Sequence, residues 1–527
     1  MSAAILSSIQ PINEIIIRNP ATGAEVGSVP NMTAEEVCAV VARAREAQKA
    51  WATLSFDERG QYVMRAREEI LKQLDEIAHV ICDEMGKPVA EALSMEIAPS
   101  LDLMQFYAHK TKKLLKPERV SIGLFGLMGR SSRIVYKPLG VIGIISPWNY
   151  PWSIPMGEVI MALMSGNTVV LKPSELTPLT ALKIEEVFTK AGLPENVLKV
   201  ITGDGKTGAE LVESGVNKIM FTGSVATGKR IAETAAKTLT PVVLELGGKD
   251  PMIVLEDANL DTASQAAVWG AFANSGQSCA SVERCYVHEK IAPQFIEKVV
   301  TQVKALQQDV GRNEDAELGS MVSERQLQIV EDHVNDAVAN GAKVLTGGQR
   351  KPNTDGIFYE PTVLTNTNHS MRAICEETFG PTLPIMTFKT EEEAIKLAND
   401  SEFGLTASVW TNDIAKGKRI ADKIEAGTVT INEVLYTHGI AQTPWGGFKN
   451  SGYGRTHGKV GLLELVAPKH IHVNSFPSIP DVWWFGYDSN TVSLFKDFAR
   501  YFASGSLSQT ARMLPQMIKR MKARRKS

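Results

Sequence analysis

The chain has 527 residues, 44% of them hydrophobic and 22% charged, with a formal net charge of −3. That length exceeds a single compact core and predicts two or three domains, and the near-neutral charge speaks against a nucleic-acid binder along most of the chain. Five widely spaced cysteines (Cys38, Cys82, Cys279, Cys285, Cys375) fit neither a disulfide framework nor paired zinc ligands; they point to a reducing compartment, with no metal expected.

The first residues carry no basic segment followed by an apolar run and a cleavage site, so no export signal is expected and the chain reads as cytoplasmic. From about 33 to 115 apolar residues recur at helical spacing, and Thr33 with Glu36 suggests a capping box. The segment "VSIGLFGLMGRSSRIVYKP", within 118–138, has two β-prone runs split by Gly and Ser, which predicts a hairpin. The uncharged stretch from Leu139 to Gly157 is long enough to suggest a membrane span, but Pro147, Pro151, Pro155 and Asn149 would break a helix there. It reads as a buried strand running into a loop.

Apolar strands then alternate with helical segments: "GVIGIIS", "NTVVLKP", "VLKVITG", "KIMFTGS" and "PVVLELGG". Near-continuous Val/Ile/Leu strands separated by helices predict a parallel sheet with crossovers. A second alternating α/β region runs from about 251 to 450. The last fifty residues differ: aromatic "DVWWFGYD", a helical face of Leu494, Phe495, Phe498, Tyr501 and Phe502, then Met513, Leu514, Met517, Ile518 and Met521 followed by dense Lys and Arg.

Cys279, in "NSGQSCAS", sits among residues too small to cover it. A reactive thiol needs access, a base, and an oxyanion donor beside the sulfur. Glu245 ends the apolar strand in "LELGGKDP", at the edge where parallel sheets bind ligands and where a partly desolvated carboxyl suits general-base work. Asn149 in "SPWNYP" offers an amide donor at another strand end. Lys172 and Glu175 in "VVLKPSE" are placed to hold ribose hydroxyls, and "FTGSVATGK" looks like a turn into a helix N-terminus suited to phosphate. It has neither the P-loop spacing nor a GxGxxG fingerprint. Taken singly, each has an ordinary structural explanation: packed thiol, ion-pair partner, turn residue.

In order, "SPWNYP", "LKPSE", "FTGSVATGK", "LELGGKDP", "NSGQSCAS", "EETFGP" and "PWGGFKNSGYGR" resemble the NAD(P)-dependent aldehyde dehydrogenase superfamily over roughly residues 15 to 475. The resemblance implies an α/β fold: a doubly wound cofactor domain (10–117 and 139–247), an α/β catalytic domain (248–450), a β-hairpin oligomerisation arm (118–138 and 465–475), and an added C-terminal extension (476–527). It implies Cys279 as nucleophile through a thiohemiacetal and a thioester, Asn149 with the Cys279 N–H as oxyanion hole, and Glu245 as the base that activates water. It implies NAD as cofactor, with NADP the alternative, held by Lys172 and Glu175 at the adenosine ribose. Ser224 and Trp148 would lie at the pyrophosphate, and Glu377 with Phe379 at the nicotinamide ribose. Gly223, Gly247 and Gly248 read as backbone necessities, and Cys285 as structural. A homodimer or homotetramer is implied.

Two features depart from the common pattern. Counting from Asn149, Gly157 falls where many members carry a bulky aromatic in the substrate tunnel, which predicts a wider entrance for long-chain or bulky apolar aldehydes. The basic, amphipathic extension predicts either peripheral contact with an anionic membrane or a helix packed on a partner subunit. The alternative substrate class is a succinic-type semialdehyde, for which Arg284 is the nearby cation. Three other classes fit less well: an acyl-transferring dehydrogenase to coenzyme A would lack Glu245, a thiol hydrolase (with His288 as base) has no use for Lys172 and Glu175, and a catalytically dead scaffold would be free to lose Cys279, Asn149 or Glu245.

Overall fold

The computed structural model describes residues 14–505 and 507–524. Residues 10–13 of the expected cofactor domain, the N-terminal segment read for an export signal, and the basic residues 525 and 526 lie outside the described residues. The chain forms two compact units: one of residues up to Leu115 with Lys137–Ala467, the other of Lys116–Tyr136 with Pro468 onward.

The larger unit is built on two mainly parallel sheets. The first has six strands in the order Gly452–Tyr453, Val242–Glu245, Lys218–Thr222, Val141–Ile145, Thr168–Lys172, Leu198–Val200. All neighbours are parallel except the edge strand Gly452–Tyr453. Val141–Ile145 and Thr168–Lys172 are buried along their whole length, which is why they read as unbroken apolar runs. The order of the five parallel strands reverses beside Val141–Ile145, so the "SPWNYP" loop leaves the sheet at a topological switch point.

The second sheet has seven strands, in the order Lys343–Thr346, Thr362–Thr365, Thr382–Phe388, Val282–His288, Asp250–Val254, Thr406–Trp410, Thr428–Ile431. Helix Leu260–Phe272 packs on it through Ala263, Ala267, Val268 and Ala271, beside Val282 and Val287.

The expected capping box is present: Thr33 accepts from the Glu36 N–H and Glu36 returns to the Thr33 N–H, opening helix Ala34–Trp51. The stretch Leu139–Gly157 holds a buried strand and a proline-rich turn, as read. It then enters helix Ser153–Met164, which starts three residues before the helical text "MGEVIMALMSG" because Pro155 occupies the first turn, where its missing N–H costs nothing. No helix among the described residues is long and apolar enough to cross a membrane.

In the smaller unit, strands Glu118–Val120 and Arg130–Pro138 pair antiparallel as the predicted hairpin, and Val466–Asn474 flanks Arg130–Pro138. Hairpin and C-terminal extension share one core: Leu124 packs with Val482, Leu494, Phe498, Met513 and Met517. Helices Ser489–Ser504 and Leu507–Arg524 each give one apolar stripe to this core, leaving Phe502, Leu514 and Ile518 exposed. Arg520 donates to the carbonyls of Val482 and Trp484 at 2.6 and 2.9 Å, so one basic residue of the tail holds the aromatic loop in place.

Candidate active site

Helix Leu260–Phe272 ends in a turn, Ala273–Gly276, in which Asn274, Ser275 and Gly276 have φ of 55°, 55° and 70°. Two consecutive non-glycine residues in the left-handed region need support. The Asn274 side chain donates to the carbonyls of Asn149 (2.9 Å) and Gln277 (3.0 Å), and its backbone N–H donates to Glu91 (2.8 Å). Ser275 donates to the Gly319 carbonyl at 3.0 Å, and Gln277 accepts from the Val322 N–H at 2.9 Å. A Cβ on Gly276 would stand 2.1 Å from the Gly380 carbonyl oxygen. The small residues before Cys279 therefore build a turn held by Glu91, Asn149, Gly319 and Val322, and its outcome is a half-buried thiol just ahead of strand Val282–His288.

Three cavities meet at Cys279. An apolar one of about 280 Å³ lies on one side, and a cleft of about 370 Å³ on the other. The third is a small chamber of about 20 Å³ that Glu245 also lines. Burial pushes the thiol well up, and the carboxyls of Asp250, Glu377 and Glu245 add to it.

Asn149 is buried and its amide donates to the Gln277 carbonyl at 3.1 Å, beside the Cys279 loop. Its own carbonyl accepts from Lys87 Nζ at 2.8 Å. Lys87 also pairs with Glu96 at 2.7 Å and lies 4.2 Å from the Tyr150 ring centroid, while the other Glu96 oxygen accepts from the N–H groups of Trp152 (2.8 Å) and Ser153 (3.2 Å). This buried pair, absent from the sequence reading, fixes Asn149 relative to the start of helix Ser153–Met164. Its members lie nine residues apart and 53 or more from Asn149, and no motif spans that distance.

Glu245 closes strand Val242–Glu245 with both carboxyl oxygens buried and without a hydrogen-bond partner. Desolvation holds its pKa well above the ordinary carboxylate range, and the nearby Glu158 raises it further. Glu158, on helix Ser153–Met164, is itself raised to about 8 by burial.

The cleft on the far side continues into a larger one of about 760 Å³. Together they are lined by all the residues assigned to a dinucleotide: Trp148, Lys172, Glu175, Gly223, Ser224, Glu377 and Phe379, with Asn149 and Glu245 at the Cys279 end. Lys172 Nζ and Glu175 lie 3.7 Å apart. Burial lowers the lysine's pKa, against the pull of Glu175 and Asp204. Ser224 caps helix Val225–Ala236 by accepting from the Thr227 N–H at 3.3 Å, so this 12-residue helix turns its N-terminus toward the cleft. Trp148 and Phe379 meet edge to face at 5.3 Å.

Glu377 accepts from the Gly248 N–H at 2.9 Å, and burial raises it to about 8. A Cβ on Gly247 would stand 2.5 Å from the Glu377 carboxylate, and one on Gly248 would stand 2.2 Å from the Cys279 carbonyl oxygen, so both positions need glycine for close approach. The loop carrying Glu377 is held from behind by a pair the sequence reading missed. Glu283 accepts from the Thr378 and Phe379 N–H groups at 2.8 and 2.9 Å, and Lys249 bonds Glu283 at 2.5 Å. An acid and an ammonium at one end, a helix N-terminus between, and a second acid near the thiol match the ribose, diphosphate and ribose of a dinucleotide in chemistry and order.

Two assignments change. Gly157 does not line the apolar cavity; Ser153 and Ile154 do. One helical turn further along, a Cβ on Gly157 would lie 3.5 Å from His457 Nε2 and from Leu103 Cδ2, so it does not widen an entrance. Arg284 is unavailable as an anchor, since it is buried and donates to the carbonyls of Lys249 (2.7 Å), Ala398 (2.9 Å) and Leu397 (3.0 Å). Among the described residues, the cavity wall, from Met95 and Pro99 to Trp269, Tyr436, Ile440 and Trp445, contains no lysine or arginine. Its single histidine, His438, is kept neutral by burial, with a pKa lowered to about 4. Cys285 is fully buried in the core under the second sheet.

The sequence profile of the aldehyde dehydrogenase family matches residues 8–471. The chain is 39% identical over 503 residues to the 4,4'-diapolycopene aldehyde oxidase of Methylomonas sp, covering 95% of this chain and 93% of that protein. It is 40% identical over 451 residues to a protein of Mycobacterium ulcerans (strain Agy99) provisionally named succinate-semialdehyde dehydrogenase (NADP(+)) 2, covering 85% of this chain and 86% of that one. Among solved structures, betaine aldehyde dehydrogenase from Staphylococcus aureus in complex with NAD+ superposes with a TM-score of 0.85 at 34% identity, over 90% of this chain and 94% of that one.

Proposed function

The chain belongs to the aldehyde dehydrogenase family and is an oxidoreductase acting on aldehydes, and from that premise we propose that it oxidises long or bulky apolar aldehydes to carboxylic acids with NAD. The observation that carries the substrate class is the wall of the 280 Å³ cavity at Cys279, apolar and, among the described residues, without a lysine or arginine. A semialdehyde of the succinic type would leave its second carboxylate buried and unpaired there, at a cost of several kcal/mol. The extent of the resemblance agrees. The alignment with the relative named for 4,4'-diapolycopene aldehyde covers 95% of this chain and so reaches into the C-terminal extension, whereas that with the semialdehyde relative covers 85%.

Bound NAD supplies the acceptor for the hydride of the aldehyde carbon. The residues of the chain do the rest. Lys172 and Glu175 hold the adenosine ribose, the helix N-terminus at Ser224 and the Trp148 edge receive the diphosphate, and Glu377 with Phe379 orients the second ribose. Glu175 favours NAD, because a 2′-phosphate beside it would meet a carboxylate; NADP remains the alternative. Cys279 is held as a thiol by burial and, beyond that, by its carboxylate neighbours, so Glu245 takes its proton as sulfur adds to the carbonyl carbon. The Asn149 amide and the Cys279 N–H receive the oxyanion of the thiohemiacetal. Glu245 then passes that proton to solvent, and once the acyl group sits on Sγ as a thioester it takes a proton from the attacking water and returns it to Sγ as the C–S bond breaks and the carboxylic acid leaves.

The test is NADH formation across straight-chain aldehydes of rising length, with succinic semialdehyde and benzaldehyde alongside. A kcat/KM that climbs with chain length is expected. A sharp preference for the semialdehyde would refute the substrate class and leave the chemistry at Cys279 intact.

We also infer that the smaller unit meets an anionic lipid surface, from which such substrates would be drawn. Its 14 lysines and arginines stand against four aspartates and glutamates, a net of +10 in a chain whose total is −3. Phe485 is 86% exposed and Phe502 60%, with Trp484 and Tyr487 also outside. Exposed aromatics beside exposed Lys496, Arg500, Lys519 and Lys522 fit the interface of an anionic bilayer. Full-length enzyme should co-sediment with phosphatidylserine vesicles at low salt and not with phosphatidylcholine alone. Equal binding to both, or to neither, would reject this surface. The three-stranded sheet, with Val466–Asn474 at its edge, is the proposed site for pairing with a second copy in a homodimer or homotetramer. The cytoplasm is the proposed compartment, in keeping with five free cysteines.

A further inference from the structure

The small chamber at Cys279 is lined by Glu158, Thr222, Glu245, Trp445, His438 and His457, with Thr456 close by. Its volume of about 20 Å³ is enough for one water. Four buried polar atoms there lack a hydrogen-bond partner: both carboxyl oxygens of Glu245, Oε2 of Glu158 and Nε2 of His457. Glu158, Glu245 and His457 are 3%, 5% and 2% exposed. Buried polar atoms are nearly always bonded, and three such side chains around a water-sized space specify what fills it.

The backbone of His457 adds an independent sign. Its φ of 61° and ψ of 164° lie in a region that glycine occupies and other residues avoid. A side chain is nevertheless kept there, with Nδ1 3.0 Å from the Thr456 hydroxyl and the ring 4.7 Å from that of His438. This contact fixes the ring orientation, and Nε2 is the nitrogen left for the chamber.

We propose that Glu158 and Glu245 work as a pair, sharing one proton through a single water that His457 fixes in this chamber, and that Glu158 thereby sets the pH at which Glu245 becomes a base. The proposal rests on the reading of Glu245 as the base. Two carboxylates in so dry a space do not both ionise. The water takes a proton from one carboxyl as it gives one to the other, so one O–H bond forms and one breaks at each water contact, and no charge leaves the chamber. The other charged or titratable groups facing the pair are few. Arg455 draws Glu245 down, the Thr222 hydroxyl favours ionised Glu158, His438 and His457 are neutral, and Cys279 is a thiol at rest. Glu158 is a positioning residue that acts through Glu245.

The test is the pH profile of steady-state aldehyde oxidation by full-length enzyme, comparing wild type with Glu158→Gln and Thr222→Val. Removing the carboxyl removes the like charge that adds to desolvation in holding Glu245 up, so the acid limb should move to lower pH. Below the limb the Glu158→Gln rate should rise above wild type, up to about tenfold for each pH unit moved. Thr222→Val, which weakens the ionised form of Glu158, should shift the limb the same way, and it serves where Glu158→Gln fails to fold. A packing role alone predicts a lower rate with the limb unmoved, and that result in the folded variants overturns the proposal. So does a high-resolution crystal structure with no water bridging Glu158, Glu245 and His457. Glu245→Gln separates the two readings: if it retains full turnover, the base assignment fails; if it loses turnover while both limbs stay put, only the pair fails.

Discussion

Replacing Glu283 by alanine tests whether the cleft is shaped from behind by a buried charge. Glu283 and Lys249 are 3% and 1% exposed, so the remaining ammonium would have no water to turn to. Removing one partner of such a pair costs about 3–5 kcal/mol. The same substitution strips the acceptor from the Thr378 and Phe379 N–H groups, which anchor the loop carrying Glu377 and Phe379. If half of that cost falls on the loop, roughly 1.5–2.5 kcal/mol, NAD affinity drops by more than about tenfold. Urea unfolding and NAD titration by tryptophan fluorescence measure the two effects separately. The double variant Lys249→Met with Glu283→Leu sharpens the test: an apolar pair removes the stranded charge and should restore most of the stability. It cannot re-anchor the two N–H groups, so NAD affinity should stay low. Glu283→Ala with wild-type stability, or a double variant with wild-type NAD affinity, would refute this account of the cleft.

Four further outcomes follow from the same geometry. Cys279→Ser should abolish aldehyde oxidation while NAD binding persists, and turnover in that variant would sink the covalent route. Glu175→Gln should weaken NAD by about tenfold, the worth of one charged hydrogen bond, and narrow its advantage over NADP; unchanged kcat/KM for both cofactors would remove Glu175 from the ribose site. Glu245 is held above the ordinary carboxylate range and must be ionised to act, so its work is lost as pH falls through that raised pKa. The acid limb of wild-type kcat/KM should therefore lie well above pH 4.5, and a limb at the ordinary carboxylate position would contradict the buried, unpartnered carboxyl. Gly157→Ala would place a methyl 3.5 Å from its neighbours, ordinary contact distance, inside a helix. It should be neutral or stabilise by up to about 1 kcal/mol with chain-length preference unchanged, and a shift toward shorter aldehydes would return Gly157 to the tunnel.

Which of these features the sequence announced follows from the range of the interactions involved. Strand and helix text, the Thr33–Glu36 cap and the hairpin at 118–138 are set by near neighbours, and the structure has them where the residues predicted. Asn149, Lys172 and Glu245 stood out because each sits at the end of a strand, where the chain must turn and where a polar residue after an apolar run is conspicuous: Asn149 after Val141–Ile145, Lys172 closing Thr168–Lys172, Glu245 closing Val242–Glu245. Pairs closed across the fold gave no such sign. Lys249 and Glu283 are 34 residues apart, and Thr378 lies 95 beyond Glu283. Counting residues from Asn149 found Gly157 but not its depth, because one helical turn beyond Ser153 and Ile154 advances the chain about 5.4 Å and carries it past the cavity wall.

Glu158 shows the same limit most clearly. In the text it is one polar residue in "MGEVIMALM", where an amphipathic helix would put it toward solvent. The helix is buried along its whole length instead, so there is no solvent face. A lone carboxyl that folding carries into the interior must find a partner, a proton or a water. Here it stands across a water-sized chamber from the carboxyl proposed as the base. What the sequence could not supply was the position of residue 457, 299 residues further on, whose side chain closes that chamber. A histidine placed where glycine would be easier is a sign that the closing contact is under demand, and the pH profile of Glu158→Gln reads that demand directly.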